Sequence, residues 1–220
     1  MEKVDYKKEY KDLYLPKTKP MVIDVPEMIF IQVEGKGNPN SENGEYQNAM
    51  SILYGLSFTI KMSKMKHKEP EGYFDYVIPP LEGLWWLENN QKPDFFQIDK
   101  SKFQWISMIR QPEFVTEEVY QWALAELKKK KPELDYQKVS YQKWTEGLCV
   151  QCMHKGPYDD EPRTIQTIEE YIQENGYQND ISTRRKHHEI YLGDPRKTKP
   201  ENLKTVIRIP VKKENESWNG

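Results

Sequence analysis

The chain has 220 residues, of which 31% are charged, but 33 basic against 35 acidic side chains leave a net charge of only -2 and no basic excess for holding nucleic acid. No apolar run reaches the roughly 18 residues of a membrane span, and the charged N-terminal stretch MEKVDYKKEYKDLY lacks the apolar core of a signal peptide. The expectation is a soluble, cytoplasmic protein with no direct nucleic-acid or membrane partner, long enough to bury a substantial core.

In chain order, residues 1–21 read as an arm anchored by Tyr6, Tyr10, Leu13, Tyr14 and Leu15. Met28 to Glu34 alternate as a strand, with Ile29, Ile31 and Val33 on one side and Met28, Phe30 and Gln32 on the other; Gly35, Gly37 and Pro39 end it. Ser41 to Asn43 offer N-caps to a helix carrying Tyr46, Ala49, Leu53, Leu56 and Ile60, although Gly55 inside it counts against an unbroken helix. A short strand is predicted over Phe74 to Ile78, broken by Pro79-Pro80, then strands over Leu84 to Leu87 and Phe103 to Ile109. A helix capped by Thr116 buries Val119, Trp122, Ala123 and Leu127, and Lys128 to Lys131 complement its C-terminal dipole as a solvated end before Pro132.

The second half repeats this order. Leu148 to His154 form a strand, Gly156-Pro157 turn, and Asp159 or Asp160 caps a helix with Ile165, Ile168 and Ile172 inward and Asn175-Gly176 at its end. His187 to Leu192 alternate as a strand, Asp194-Pro195 stops it, and the β-branched run Leu203 to Ile209 pairs back antiparallel. Gln32-x-x-x-Lys36-Gly37 has a counterpart in Gln151-x-x-x-Lys155-Gly156, and Glu189-Ile190-Tyr191-Leu192 lies over Asp75-Tyr76-Val77-Ile78. The implied fold is α+β: two strand-helix-strand-strand modules, about 22–132 and 133–211, in a pseudo-twofold antiparallel sheet with helices on one face, a ligand cleft between modules, and a tail over 212–220.

Within the strand 187–192, Glu189 and Tyr191 share a face with His187, opposite His188, Ile190 and Leu192. A carboxylate on an aromatic face is expected to be partly desolvated, and so more basic than a free one. Cys149 and Cys152 sit three apart on a strand, which points their thiols to opposite faces and makes them structural rather than a metal or redox pair. His187 and His188 diverge for the same reason, so with His154 they supply no zinc ligand set; no metal and no cofactor is expected. The 14 Tyr, 7 Phe and 6 Trp provide enough flat side chains to line a pocket as well as a core.

Three stretches carry a family resemblance: His154-Lys155-Gly156-Pro157-Tyr158, His188-Glu189-Ile190-Tyr191-Leu192, and Asp194-Pro195-Arg196 followed by the strand Thr205 to Ile209. Over about residues 22–211 the chain resembles the GyrI-like small-molecule-binding domain. That family includes a gyrase inhibitor and the effector domains of multidrug-responsive regulators, whose buried glutamate contacts cationic aromatic ligands; the resemblance puts Glu189 at that position. The arm over 10–25, the GKGNPN turn at 35–40 and PPLEGLWW at 79–86 are similar to a stand-alone subgroup without a DNA-binding domain. Some of that subgroup are hydrolases that open the cyclopropane of cyclopropanoid DNA alkylators. The resemblance implies detoxification of flat aromatic or cationic small molecules, with Glu189 activating water and Tyr191 donating a hydrogen bond. Trp85 and Trp86, with Phe30, Asp75, Trp105 and Tyr158, are the candidates for substrate contact. The alternative is a binding module that sequesters such ligands; inhibition of gyrase or another protein partner is implied only by the family's founding member.

Overall fold

A computed structural model of the chain describes residues 3–42, 44–87 and 99–214, apart from the side chain of Lys66. The expected N-cap Asn43 and residues 215–220 of the tail lie outside the described residues. The fold is α+β with antiparallel strands. The described chain forms two compact units, one of residues 3–9, 27–42, 44–81 and 99–144, the other of residues 10–26, 82–87 and 145–214. Strands β1 (Met21–Lys36) and β4 (Val139–Lys155) run on from one unit into the other.

In the first unit β1 pairs antiparallel with β3 (Phe103–Gln111), Ile31 opposite Ile109 and Gly35 opposite Trp105. Helix α3 (Glu45–Lys61) packs on β3 and on α4 (Glu117–Lys130), burying Ala49, Ile52, Leu53, Leu56 and Ile60. Thr116 caps α4 as its sequence requires, its hydroxyl accepting from the Val119 N–H. Gly55 does not break α3: a Cβ there would lie 2.9 Å from the Leu127 methyls, so the glycine is what lets the two helices approach.

The expected strand over 74–78 is absent. Tyr76 makes one isolated bridge to Val4 (Val4 N–H to Asp75 O, Val77 N–H to Val4 O), so the arm, and not a ladder, occupies its backbone. The arm itself winds into two single-turn helices, α1 (Tyr6–Glu9) and α2 (Lys11–Tyr14).

Gly35 has a different reason for being small. A Cβ on it would lie 2.2 Å from the ring of the fully buried Trp105, which also packs edge-on against Tyr46 at 5.1 Å. Gly35→Ala should therefore overpack the core and cost about 1–3 kcal/mol, read as a lower urea midpoint.

In the second unit β7 (Lys204–Lys213) pairs antiparallel with β4, with the short β5 (Tyr177–Asn179) and with β6 (His187–Tyr191). Strand β2 (Leu81–Leu87) is hydrogen-bonded along β6. Helix α5 (Glu161–Glu174) buries Ile165, Ile168 and Ile172 against Val150, Cys152, Ile207, Ile209 and Val211. Sequence periodicity located all of these elements except β5, whose three residues are too few to show a period.

Candidate functional site: a buried carboxyl pair on β6 and α5

Strand β6 sets two groups of side chains back to back, as period-2 geometry requires. His188 and Ile190 lie on one face; His187, Glu189 and Tyr191 lie on the other.

On the His188 face the interior holds charge. His188 Nδ1 lies 3.0 Å from the Glu146 carboxylate, and its Nε2 lies 3.0 Å from Glu82 Oε2, though off line for a well-formed hydrogen bond. Arg208 donates to Glu146 Oε2 at 2.8 Å, to Gln151 Oε1 at 3.1 Å and to the Leu13 carbonyl at 3.0 Å. Tyr14 donates to Glu82, and Gln151 donates to the Asp12 carbonyl, so the network also fastens residues 12–14 of the arm.

Burial alone would discharge these groups, but opposite charges at contact distance override it. Burial pushes Glu146 up, yet His188 and Arg208 bring it down to about 2. Burial pushes His188 down, yet Glu146 and Glu82 raise it to about 9. The His188 contribution to stability is thus complete below about pH 6.5 and lost as the pH rises through about 9; that of Glu146 is present above about 4.5 and lost as the pH falls through about 2. Stability should fall between about pH 6.5 and 9, and His188→Gln should flatten that limb in a series of urea midpoints.

On the opposite face Glu189 accepts from two directions. His187 Nε2 donates to its Oε1 at 3.0 Å, and the Tyr191 hydroxyl donates to its Oε2 at 2.7 Å. Tyr191 in turn accepts from Trp85 Nε1 at 2.8 Å. Gly83, two residues before Trp85 on β2, makes room for this indole: a Cβ there would lie 2.6 Å from Trp85 Nε1 and 3.2 Å from the Tyr191 hydroxyl. Tyr158 closes another side, its ring edge-on to Tyr191 at 5.8 Å.

A second carboxyl stands beside Glu189. Glu161, the first residue of α5, is only 7% exposed and interacts with Glu189 and with the Thr205 hydroxyl of β7. Its Oε1 and Thr205 Oγ1 are both buried without a well-aligned hydrogen bond.

The turn that delivers Glu161 is the His-Lys-Gly-Pro-Tyr motif. His154 bonds Thr164 Oγ1 at 2.8 Å and the Pro157 carbonyl at 3.0 Å, clamping the turn to the first turn of α5. Gly156 adopts φ +126° there, a conformation L side chains rarely take. Asp160 takes the N-cap position but its side chain makes no capping bond.

The two carboxyls are driven apart in acidity. Burial raises Glu189, but the bonds from His187 and Tyr191 outweigh it and hold the group below the ordinary carboxylate value. The expectation of a more basic glutamate is therefore reversed: desolvation acts as anticipated, and the donors around it win. Burial and the adjacent Glu189 charge push Glu161 well above the ordinary range, beyond what the Thr205 hydroxyl can offset. Of the two, Glu161 is the weaker acid and the first to take up a proton as the pH falls, as two like charges in one enclosed site favour. The same surroundings push the Tyr158 hydroxyl up to about 12, burial first and then Glu161 and Glu189.

The second unit thus brings together Glu189, Tyr191, Trp85 and Tyr158. The Tyr191 hydroxyl proton is donated to Glu189. Trp86 points to the other face of β2 and stacks under Lys186 Nζ at 4.8 Å, as alternation between adjacent tryptophans anticipates. Phe30, Trp105 and Asp75 belong to the first unit. Phe30 is fully buried there, edge-on to Trp144 at 5.9 Å, and Trp105 is fully buried against Tyr46. Asp75 is bound to Lys64 at 2.7 Å, with Lys61 and Lys3 within 4.0 Å, and Lys64 holds its carboxyl below the ordinary value.

The three histidines of the metal question are each engaged elsewhere, and among the described residues no group of three or more metal-ligating side chains converges. Both cysteines are buried and unbridged; burial raises both thiols, Cys152 to about 11. No described helix is long and apolar enough to cross a membrane.

The second unit is thus α+β, with two adjacent carboxyls beside two tyrosines and a tryptophan. The chain belongs to the family of the GyrI-like small molecule binding domain, whose profile matches residues 18–212. It is similar to a protein from Listeria innocua whose crystal structure is described as that of a hydrolase: 47% identity, TM-score 0.86, covering 96% of this chain and 100% of that one. It is equally similar to an uncharacterized conserved protein from Listeria innocua, at 48% identity and TM-score 0.88 over the same shares. The C-terminal domain of EcmrR shares the fold at 13% identity and TM-score 0.52, covering 89% of this chain and 98% of that domain. No curated protein sequence matches the chain.

Proposed function

We propose that the chain hydrolyses cyclopropanoid electrophiles, flat aromatic compounds in which a spiro-cyclopropane is conjugated to a dienone, and so detoxifies DNA alkylators. The observation that carries this reading is Glu189, an ionised carboxylate with a side chain 15% exposed, fixed by His187 and Tyr191 and walled by Trp85 and Tyr158. The Listeria innocua protein described as a hydrolase supports it.

The chemistry balances with this chain's residues alone. Water attacks the cyclopropane CH2, the strained C–C bond breaks, and its electron pair aromatises the ring to leave a phenolate on the former carbonyl oxygen. Glu189 accepts the proton lost by the water and releases it to solvent, from which the phenolate takes one, so the carboxylate is restored. Glu189 both orients the water and takes its proton; because its donors depress its basicity, ring strain and aromatisation supply most of the driving force.

A second reading, a binder that sequesters flat aromatics without turning them over, is favoured by that same low basicity. Incubating the protein with a duocarmycin-type cyclopropanoid and following mass separates the two. Hydrolysis adds one water to the compound over many turnovers; compound recovered intact after protection in a 1:1 complex overturns it.

A further inference from the structure

The four lysines that close α4 are not equivalent. Lys128 lies over the Tyr136 ring at 5.5 Å and Lys129 pairs with Glu126 at 3.0 Å, whereas among the described residues no ion pair engages Lys130 or Lys131. Those two line a groove of about 220 Å³ between α3 and α4, together with Phe58, Met62, Trp122 and Leu127. Both helices belong to the first unit. They run antiparallel: Asn48, near the start of α3, exchanges hydrogen bonds with the Asp135 backbone just past the end of α4, and further along α3 Gly55 lies against Leu127. The groove therefore has unlike ends. Lys130 and Lys131 stand at the end nearer Gly55, while Met62 and Trp122 stand at the other, about 12 Å of helix away. Phe58 and Met62 are 52% and 44% exposed, so the apolar walls between those ends face water.

We propose that this groove binds a free straight-chain aliphatic carboxylate, its tail laid along Leu127, Phe58, Trp122 and Met62 and its headgroup held by Lys130 and Lys131. Charge selects the class. The acid in the lining, Glu126, is already met by Lys129, which leaves Lys130 and Lys131 to set the sign of the ligand. A carboxylate gains both the apolar contacts and two cations; a neutral chain of the same length gains only the contacts, and a cationic one meets like charge. Shape selects the form in which the chain arrives. Gly55 lets α3 and α4 close on one another at Leu127, so the groove between them has room for a single chain and favours the free acid over the headgroup surface of a bilayer. The groove lies in the first unit and Glu189 in the second, so its failure would leave the hydrolytic reading untouched.

The test is calorimetric titration of the full chain at low salt with octanoate, with 1-octanol as its neutral counterpart and with octyltrimethylammonium as its cationic one. Octanoate should bind at one site per chain, on the order of tenfold tighter than 1-octanol and more weakly as salt rises, and the cation should not bind. Replacing both lysines, Lys130→Gln with Lys131→Gln, should bring octanoate down to the affinity of 1-octanol and leave 1-octanol unchanged. Phe58→Asp, at a position already exposed to water, should abolish the binding of both. Absence of octanoate binding overturns the proposal, as does equal affinity for octanoate and 1-octanol, or octanoate affinity unaltered in the double lysine variant. Octanoate binding that survives Phe58→Asp also overturns it, and its loss in Glu189→Gln instead would place the ligand in the second unit. Sedimentation of the chain with phosphatidylglycerol vesicles, without binding of octanoate, overturns it in favour of a membrane surface.

Discussion

Arg208→Met is expected to lower the unfolding free energy by about 3–5 kcal/mol, because it removes one partner of a buried ion network while keeping its bulk. Arg208 is 1% exposed, and three acceptors depend on it: Glu146, Gln151 Oε1 and the Leu13 carbonyl. Methionine fills the space but leaves a buried carboxylate with His188 alone and two acceptors dry. The arm should loosen with it. The contacts to Leu13 and Asp12 are made by Arg208 and its partner Gln151, and the strand β4 also holds the arm through Met153 N–H to Lys17 O. Urea unfolding followed by tryptophan fluorescence reads the stability, and trypsin cleavage after Lys11 or Lys17 reads the arm. A loss below about 1 kcal/mol would mean that the network's attraction merely balances its desolvation.

Glu189→Gln is expected to lower cyclopropanoid turnover by about 100- to 10,000-fold, the range for removing a general base, while binding of a neutral flat aromatic changes only a few-fold. Glutamine keeps the shape and can still accept from Tyr191, so a loss of turnover with binding retained isolates the proton transfer. Since Glu189 is ionised well into the acidic range, the rate of the unaltered chain should be flat from about pH 6 upward, with no limb from this group near neutrality. Turnover unchanged in Glu189→Gln would move the chemistry to another residue or to the strained ring itself.

The strands and helices were legible wherever a period extended over several turns or alternations. The segment over 74–78 had the composition of a strand, but one bridge to Val4 replaced the ladder, and pairing partners are not written in composition. Glu189 and Tyr191 were legible as one face of β6, and Tyr158 through its motif. Glu161 was not: an acid in the first turn of a helix ordinarily faces solvent and favours the dipole, and only its burial against Glu189 distinguishes it. The roles of Gly83 and Glu82 are not written in PPLEGLWW for the same reason, being set by the Trp85 ring further along β2 and by His188 on β6. Arg208 could have been found. A lone arginine in the apolar run Thr205 to Ile209 demands a buried acid, and Glu146 is that acid.

Strand β6 has only five residues, yet the ion network stands on one side of it and the carboxyl pair on the other. This limits any attempt to graft the site onto another scaffold. Copying His187, Glu189 and Tyr191 alone would leave the donor side chains without the backing that fixes their backbone, so the transferable unit includes His188 with Glu146, Glu82 and Arg208. The same arrangement should make drift in ligand preference slow. A substitution on the Glu189 face must also leave intact the ion network on the opposite face of the same strand, so variation is expected to enter through Trp85 and Tyr158, whose backbones lie outside β6.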